Sequence, residues 1–127
     1  MFSHVMIGVN DIDTSKKFYD AILGALGHAP GQIDPKGRCV YMTKTGIFIL
    51  TKPINGEPAC HGNGTTIGFT AETPALADAW HEAGLVNGGT ACEDAPGIRP
   101  GPAFDLYLAY LRDPDGNKMC ALHRVAK

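Results

Sequence analysis

The chain has 127 residues, of which 44% are hydrophobic and 19% charged. That composition suits one globular domain and excludes a disordered chain. Eleven Lys and Arg against thirteen Asp and Glu leave a formal net charge of −2, so there is no basic footprint for nucleic acid or an anionic membrane. No apolar run approaches the roughly 20 residues of a membrane span. The opening MFSHVMIGVND has no basic segment ahead of an apolar core, so no signal peptide is expected. Cys39, Cys60, Cys92 and Cys120 form no C-x-x-C pair. Reduced, structural thiols in a cytoplasmic chain are the expectation.

Residues 4–9 read as a strand and 13–23 as a helix. Ile12, Phe18, Ile22 and Leu23 share one helical face, with Asp11, Asp13 or Thr14 as the cap. Gly24 and Gly27 suit the helix end. Residues 31–37 read as loop around a weak strand. Cys39–Thr43 and Ile47–Thr51 are strands joined by the turn Lys44-Thr45-Gly46. The polar segment 53–64 is a connector. Thr66–Thr70 is then a strand, and Thr73 caps a helix with Pro74 at its first position, running to about Ala83. A strand is expected near Gly88–Glu93 and a long loop over 94–105. Leu106–Leu111 and Lys118–His123 are strands around the turn Asp113-Pro114-Asp115-Gly116-Asn117.

The order strand, helix, three strands occurs twice. A shift of 62 places Val5 on Ile67, Phe18 on Trp80, Ala21 on Ala83, Leu23 on Leu85 and Gly27 on Gly89. The last strands need a shift of 71, which places Ile47 on Lys118 and Ile49 on Cys120, because the second half carries the longer loop. Residues 1–52 and 65–127 thus read as two modules of one domain spanning 1–127.

Several of these residues resemble the vicinal oxygen chelate superfamily, which includes glyoxalase I, extradiol dioxygenases, fosfomycin-resistance enzymes and bleomycin-binding proteins. In the first half they are His4-Val5, Asn10-Asp11-Ile12-Asp13-Thr14-Ser15 and Phe18-Tyr19; in the second, Gly64-Thr65-Thr66-Ile67-Gly68-Phe69 and Asp113-Pro114-Asp115-Gly116-Asn117. The last turn is the most specific piece, and the small bacterial glyoxalase-like proteins are the nearest in flavour. The resemblance implies an α+β fold of two tandem βαβββ modules whose mixed sheets curve into a cup.

It also implies four ligand positions on the first and last strands of the modules, filled here by His4, Ile49, Thr66 and Cys120. His4 matches the first-strand metal ligand. Thr66 stands where a second His is usual, and Cys120 where the last-strand Glu is usual. A hard divalent cation wants several oxygen or imidazole donors. Ile49 offers none, a Thr hydroxyl is a poor one, and a Cys thiolate favours a softer metal. No cofactor is therefore expected, with a divalent metal on His4 kept as the alternative.

The expected function is binding of a small organic molecule in the cup by His4, Thr66, Arg99, Tyr107 and Cys120. Arg99, in the long loop, is a possible grip for a carboxylate or phosphate; the bland reading is a surface Arg or an ion pair with Glu93 or Asp94. Tyr41, Tyr107, Tyr110 and Phe104 are cup walls if they face inward, and core residues otherwise. The alternative is a divergent lyase, isomerase or dioxygenase of the superfamily, with His4 and Cys120 as catalytic candidates. A His4–Cys120 pair would need their strands to be adjacent. A third reading is a structural role within a dimer. The expected partners are a small molecule and a second copy in a homodimer.

Overall fold

The computed structural model describes residues 1–126. The first half contains β1 (His4–Gly8), α1 (Ile12–Ala25), β2 (Gln32–Ile33), β3 (Cys39–Met42) and β4 (Ile47–Thr51). The second contains β5 (Ile67–Thr70), α2 (Pro74–Leu85), β6 (Thr90–Ala91), β7 (Gly97–Arg99), β8 (Phe104–Arg112) and β9 (Lys118–Ala126). The strands form two separate mixed sheets, β1-β4-β3-β2 and β5-β9-β8-β6, with β7 also on β8. In each half the first strand lies parallel to the last. Val5 faces Phe48, and Ile67 faces Met119; these are the residues that the shifts of 62 and 71 bring into correspondence.

Both helices start where their side chains cap them. The Asp11 carboxylate accepts from the Thr14 N–H at 2.9 Å, and the Thr73 hydroxyl from the Leu76 N–H at 3.1 Å. Ser15, Phe18, Tyr19, Ile22 and Leu23 form the buried stripe of α1, and Ala77, Trp80 and Gly84 that of α2. Gly84 allows the helices and the second sheet to close: a Cβ there would run into Leu111 and Ile22. On the helix side, Val9, Cys39, Tyr41, Leu50, Ala109, Leu111, Met119 and Ala121 complete one continuous core. Each large side chain buried there contributes about 1.5–3 kcal/mol.

Strand alternation sends the other set of residues to the faces turned away from the helices. In the first sheet these open-face residues are His4, Met6, Val40, Met42, Ile47 and Ile49. In the second they include Leu108, Tyr110, Lys118, Cys120 and Leu122.

The Asp113–Asn117 turn joins the halves. The buried Asp113 carboxylate accepts from the Tyr19 hydroxyl at 2.7 Å and from the Asn117 side chain at 2.9 Å. Asp115 accepts from the Asn10 backbone and side chain and from the Ser15 hydroxyl. The Asn117 side chain donates to the Gly8 carbonyl. Both carboxylates of this motif are therefore engaged in architecture.

The segment expected as a loop over 94–105 is loop at 94–96 and 100–103 but carries two strand pieces. β7 lies within it, and β8 begins at Phe104. Gly-Ile-Arg between prolines is too short to show a period, but pairing with β8 supplies the hydrogen bonds that propensity does not.

Candidate functional site

Cys120 and Tyr110 face each other across β9 and β8, and Lys118 precedes Cys120 on the same face. Cys120 is buried, and burial pushes its thiol up to about 11, with the Glu93 charge adding to the shift. A thiol held protonated at neutral pH is a poor nucleophile. The Lys118 ammonium lies 5.0 Å from the centroid of the Tyr110 ring and is ion-paired with Glu93. This pair raises the Lys118 pKa. Leu122 continues the face as half-buried apolar surface opposite the buried Leu108, and Phe104, also on it, stacks under Arg124 at 4.9 Å.

Glu93 reaches this place because the sheet edge bulges. Ala91 pairs with Leu111 and Gly97 with Leu108, so the five residues 92–96 oppose only Ala109 and Tyr110. Glu93, with φ of 56°, has a left-handed backbone, and no other non-glycine among the described residues does. The Arg99 guanidinium, on β7 at the same face, ties down the end of the bulge. It donates to the carbonyls of Asp94 and Ala95 at 3.2 Å each and of Gly97 at 3.1 Å. Arg99 is thus neither a free grip nor the carboxylate partner expected for it; its donors bind backbone.

The remaining expected residues scatter. Thr66 is exposed just ahead of β5. Tyr107 faces the helices, where its hydroxyl donates to Asp78 at 2.7 Å, so the structure does not make it a wall of the open face. Tyr41 also faces inward and donates to Asp20 at 2.8 Å. His4 is exposed, with Nδ1 hydrogen-bonded to the Ser3 hydroxyl at 2.8 Å. It borders a groove of about 880 Å³ between the end of α1, the turn 43–46 and β5; Thr66, Arg99 and Cys120 do not line that groove. His4 and Cys120 lie in different sheets, on strands that are not neighbours. The adjacency that a His–Cys pair requires is absent within the chain. His123 points away from Cys120 and bonds the Ala71 carbonyl at 3.0 Å.

The four family ligand positions do not fit a divalent metal. Ile49 is aliphatic, Thr66 offers only a neutral hydroxyl and Cys120 a soft sulfur, which leaves His4 as the one imidazole donor. Among the described residues, no three of His, Cys, Asp and Glu cluster to hold an ion. Glu93 and Lys118 were not among the residues expected at the site. The parity of Lys118 with Cys120 was the available signal for the lysine; nothing in the sequence marks Glu93, whose place depends on the bulge.

The family model of the Glyoxalase/Bleomycin resistance protein/Dioxygenase superfamily matches residues 1–121. The chain belongs to that superfamily. The crystal structure of a glyoxalase/bleomycin resistance protein from Albidiferax ferrireducens T118 is 61% identical, with a TM-score of 0.93 over 97% of this chain and 98% of that one. A glyoxalase-related enzyme from Fulvimarina pelagi shares the fold at 17% identity, with a TM-score of 0.71 over 96% of this chain and 86% of its own. A glyoxalase/bleomycin resistance protein/dioxygenase family enzyme from Burkholderia phytofirmans PsJN does so at 19%, with a TM-score of 0.68 over 94% and 95% of the two chains. A search of curated proteins finds no match. This superfamily chain has no helix long and apolar enough to cross a membrane among its described residues.

Proposed function

We propose that this superfamily member binds a small organic molecule on the open face of its second sheet and uses no divalent metal to do so. The observation that carries the reading is the donor chemistry at the family's four ligand positions. His4, Ile49, Thr66 and Cys120 cannot together supply the oxygen and imidazole set that a hard cation needs. What the face offers instead is apolar surface from Leu122 and the Tyr110 ring, bordered by cationic side chains. That combination suits a receptor better than a Lewis-acid site.

The first sheet leaves Met6 at 40% and Met42 at 73% exposure on its own open face. We read that apolar surface as the place where a second copy docks to make a homodimer, and the free cysteines as a sign of a reducing, cytoplasmic setting.

The test is elemental analysis of protein purified without a histidine tag, before and after incubation with zinc, iron, nickel and manganese, followed by a thermal-shift screen of organic ligands. Substoichiometric metal throughout, with stabilising organic hits, is the expected result. One tightly held equivalent of metal would overturn the reading. Light scattering that reports a monomer at micromolar concentration would remove the dimer.

A further inference from the structure

The Glu93–Lys118 ion pair sits over the open face in a way that core stability does not require. Its carboxylate is delivered by a three-residue excess in the bulge and a left-handed backbone at a residue other than glycine. Such conformations persist where the surroundings impose them, and they concentrate at functional sites. Here Arg99 ties down the residues that follow Glu93, through hydrogen bonds to the carbonyls of Asp94, Ala95 and Gly97. The pair is also partly open to solvent, at 23% for Lys118 and 45% for Glu93, and such pairs contribute little to stability. It can therefore open at small cost.

The charges on this face are one-sided. Arg112, Lys118 and Arg124 are at open-face positions of β8 and β9, and no acidic residue of those two strands shares them. The Arg112 guanidinium is turned to the Gly116 carbonyl and Arg124 to Phe104. Arg99 of β7 shares the face, but its donors are taken by backbone carbonyls; Lys118, against the Tyr110 ring, is the cation of this face paired with a carboxylate, that of Glu93.

We propose that the ligand of this site is a small organic carboxylate with an apolar or aromatic body. Its carboxylate takes the place of Glu93 on Lys118, and its body lies on Tyr110 and Leu122, the half-buried apolar side chains of that face. Glu93 is then an internal stand-in for the ligand, and Arg99 a positioning residue that keeps the stand-in on its bulge. The Cys120 thiol beneath contributes a weakly polar, uncharged surface. This proposal rests on the receptor reading above and specifies its ligand class.

The experiment uses matched acids and amides: benzoate with benzamide, hexanoate with hexanamide, and a fragment set built on the same pairing. Binding to the full chain is followed by ligand-observed NMR and calorimetry, with Glu93→Gln, Lys118→Gln and Lys118→Arg beside the wild type. Acids are expected to bind and their amides not. Lys118→Gln weakens the acids by about tenfold, as loss of a charge-assisted contact does, and Lys118→Arg restores most of the binding. Glu93→Gln tightens the acids by about two- to fivefold, because the competing partner of Lys118 is gone. All three variants lie on the surface side of the sheet and should keep the wild-type circular dichroism. Equal binding of acids and amides, indifferent to Lys118, overturns the carboxylate proposal and leaves the receptor reading standing. Binding of neither class overturns both.

Discussion

The two halves share an architecture and differ in what they expose. The open face of the first sheet is lined by Met6, Val40, Met42, Ile47 and Ile49, with His4 alone carrying a titratable group. The corresponding face of the second sheet carries Lys118, Tyr110 and Cys120 beneath a bulge that brings Glu93 over them. The helix sides, in contrast, merge into one core, with α1 against α2 and the Phe48 and Phe69 rings meeting edge-on at 5.3 Å. Duplicated modules have thus kept the side that holds them together and diverged on the side that meets other molecules. Chemistry accumulated where an edge could interrupt its ladder, between Ala91 and Gly97, and resume it.

The comparison can be broken first from the core side, with alkali. Tyr19 is held well above the usual tyrosine pKa by burial and by the Asp113 charge, and Tyr41 is raised by burial and by its bond to Asp20. Both pKa values are higher in the folded chain, so their stabilising contribution is complete below the unfolded value of about 10 and is lost as pH rises beyond it. Urea midpoints followed by circular dichroism should begin to fall above pH of about 8.5, where thiols titrate in the unfolded chain but those of Cys39, Cys92 and Cys120 are held protonated in the fold, and fall most steeply above pH of about 10. Tyr19→Phe with Tyr41→Phe should flatten that fall.

Asp113→Ala comes next. It strands the buried Tyr19 hydroxyl and removes acceptors for the Asp115 and Asn117 N–H groups. A loss of about 3 kcal/mol is expected from denaturant titration. Gly84→Ala should cost about 2 kcal/mol, because its methyl meets Leu111 in the shared core. The open face should respond far less. Glu93→Gly relieves the left-handed backbone and gives up the partly exposed ion pair, and these effects are each about 1 kcal/mol or less and opposed. Its melting temperature should stay close to that of the wild type, while Glu93→Gln, which keeps the strain, should melt lower than Glu93→Gly.

Much of the fold was legible because it depends on short-range chemistry. Asp11 and Thr73 cap where an oxygen precedes an apolar helical period, and Lys44-Thr45-Gly46 turns where two β-rich runs meet. The candidate site was less so. Residues 106–111 are apolar on both faces, so alternation alone left Tyr107 and Tyr110 equivalent; the core side was decided by α2, whose Asp78 takes the Tyr107 hydroxyl. Arg99 was legible as a residue of interest but not as a backbone clamp, because its acceptors are carbonyls of a bulge that no side-chain pattern announces. Glu93 was invisible for the same reason.

The turn that joins the halves also constrains the order in which this chain can become itself. Tyr19 waits for a carboxylate 94 positions downstream, and Asn10 for one 105 positions downstream. Contacts of such sequence separation form late and slow the search. During synthesis, the first sheet and its helix emerge with a tyrosine hydroxyl and a strand end whose partners have not yet been made. The early half must remain provisional until the last hairpin leaves the ribosome. A chain cut short before Asp113 would lack the closing clasp of its first module as well as the final strand of its second.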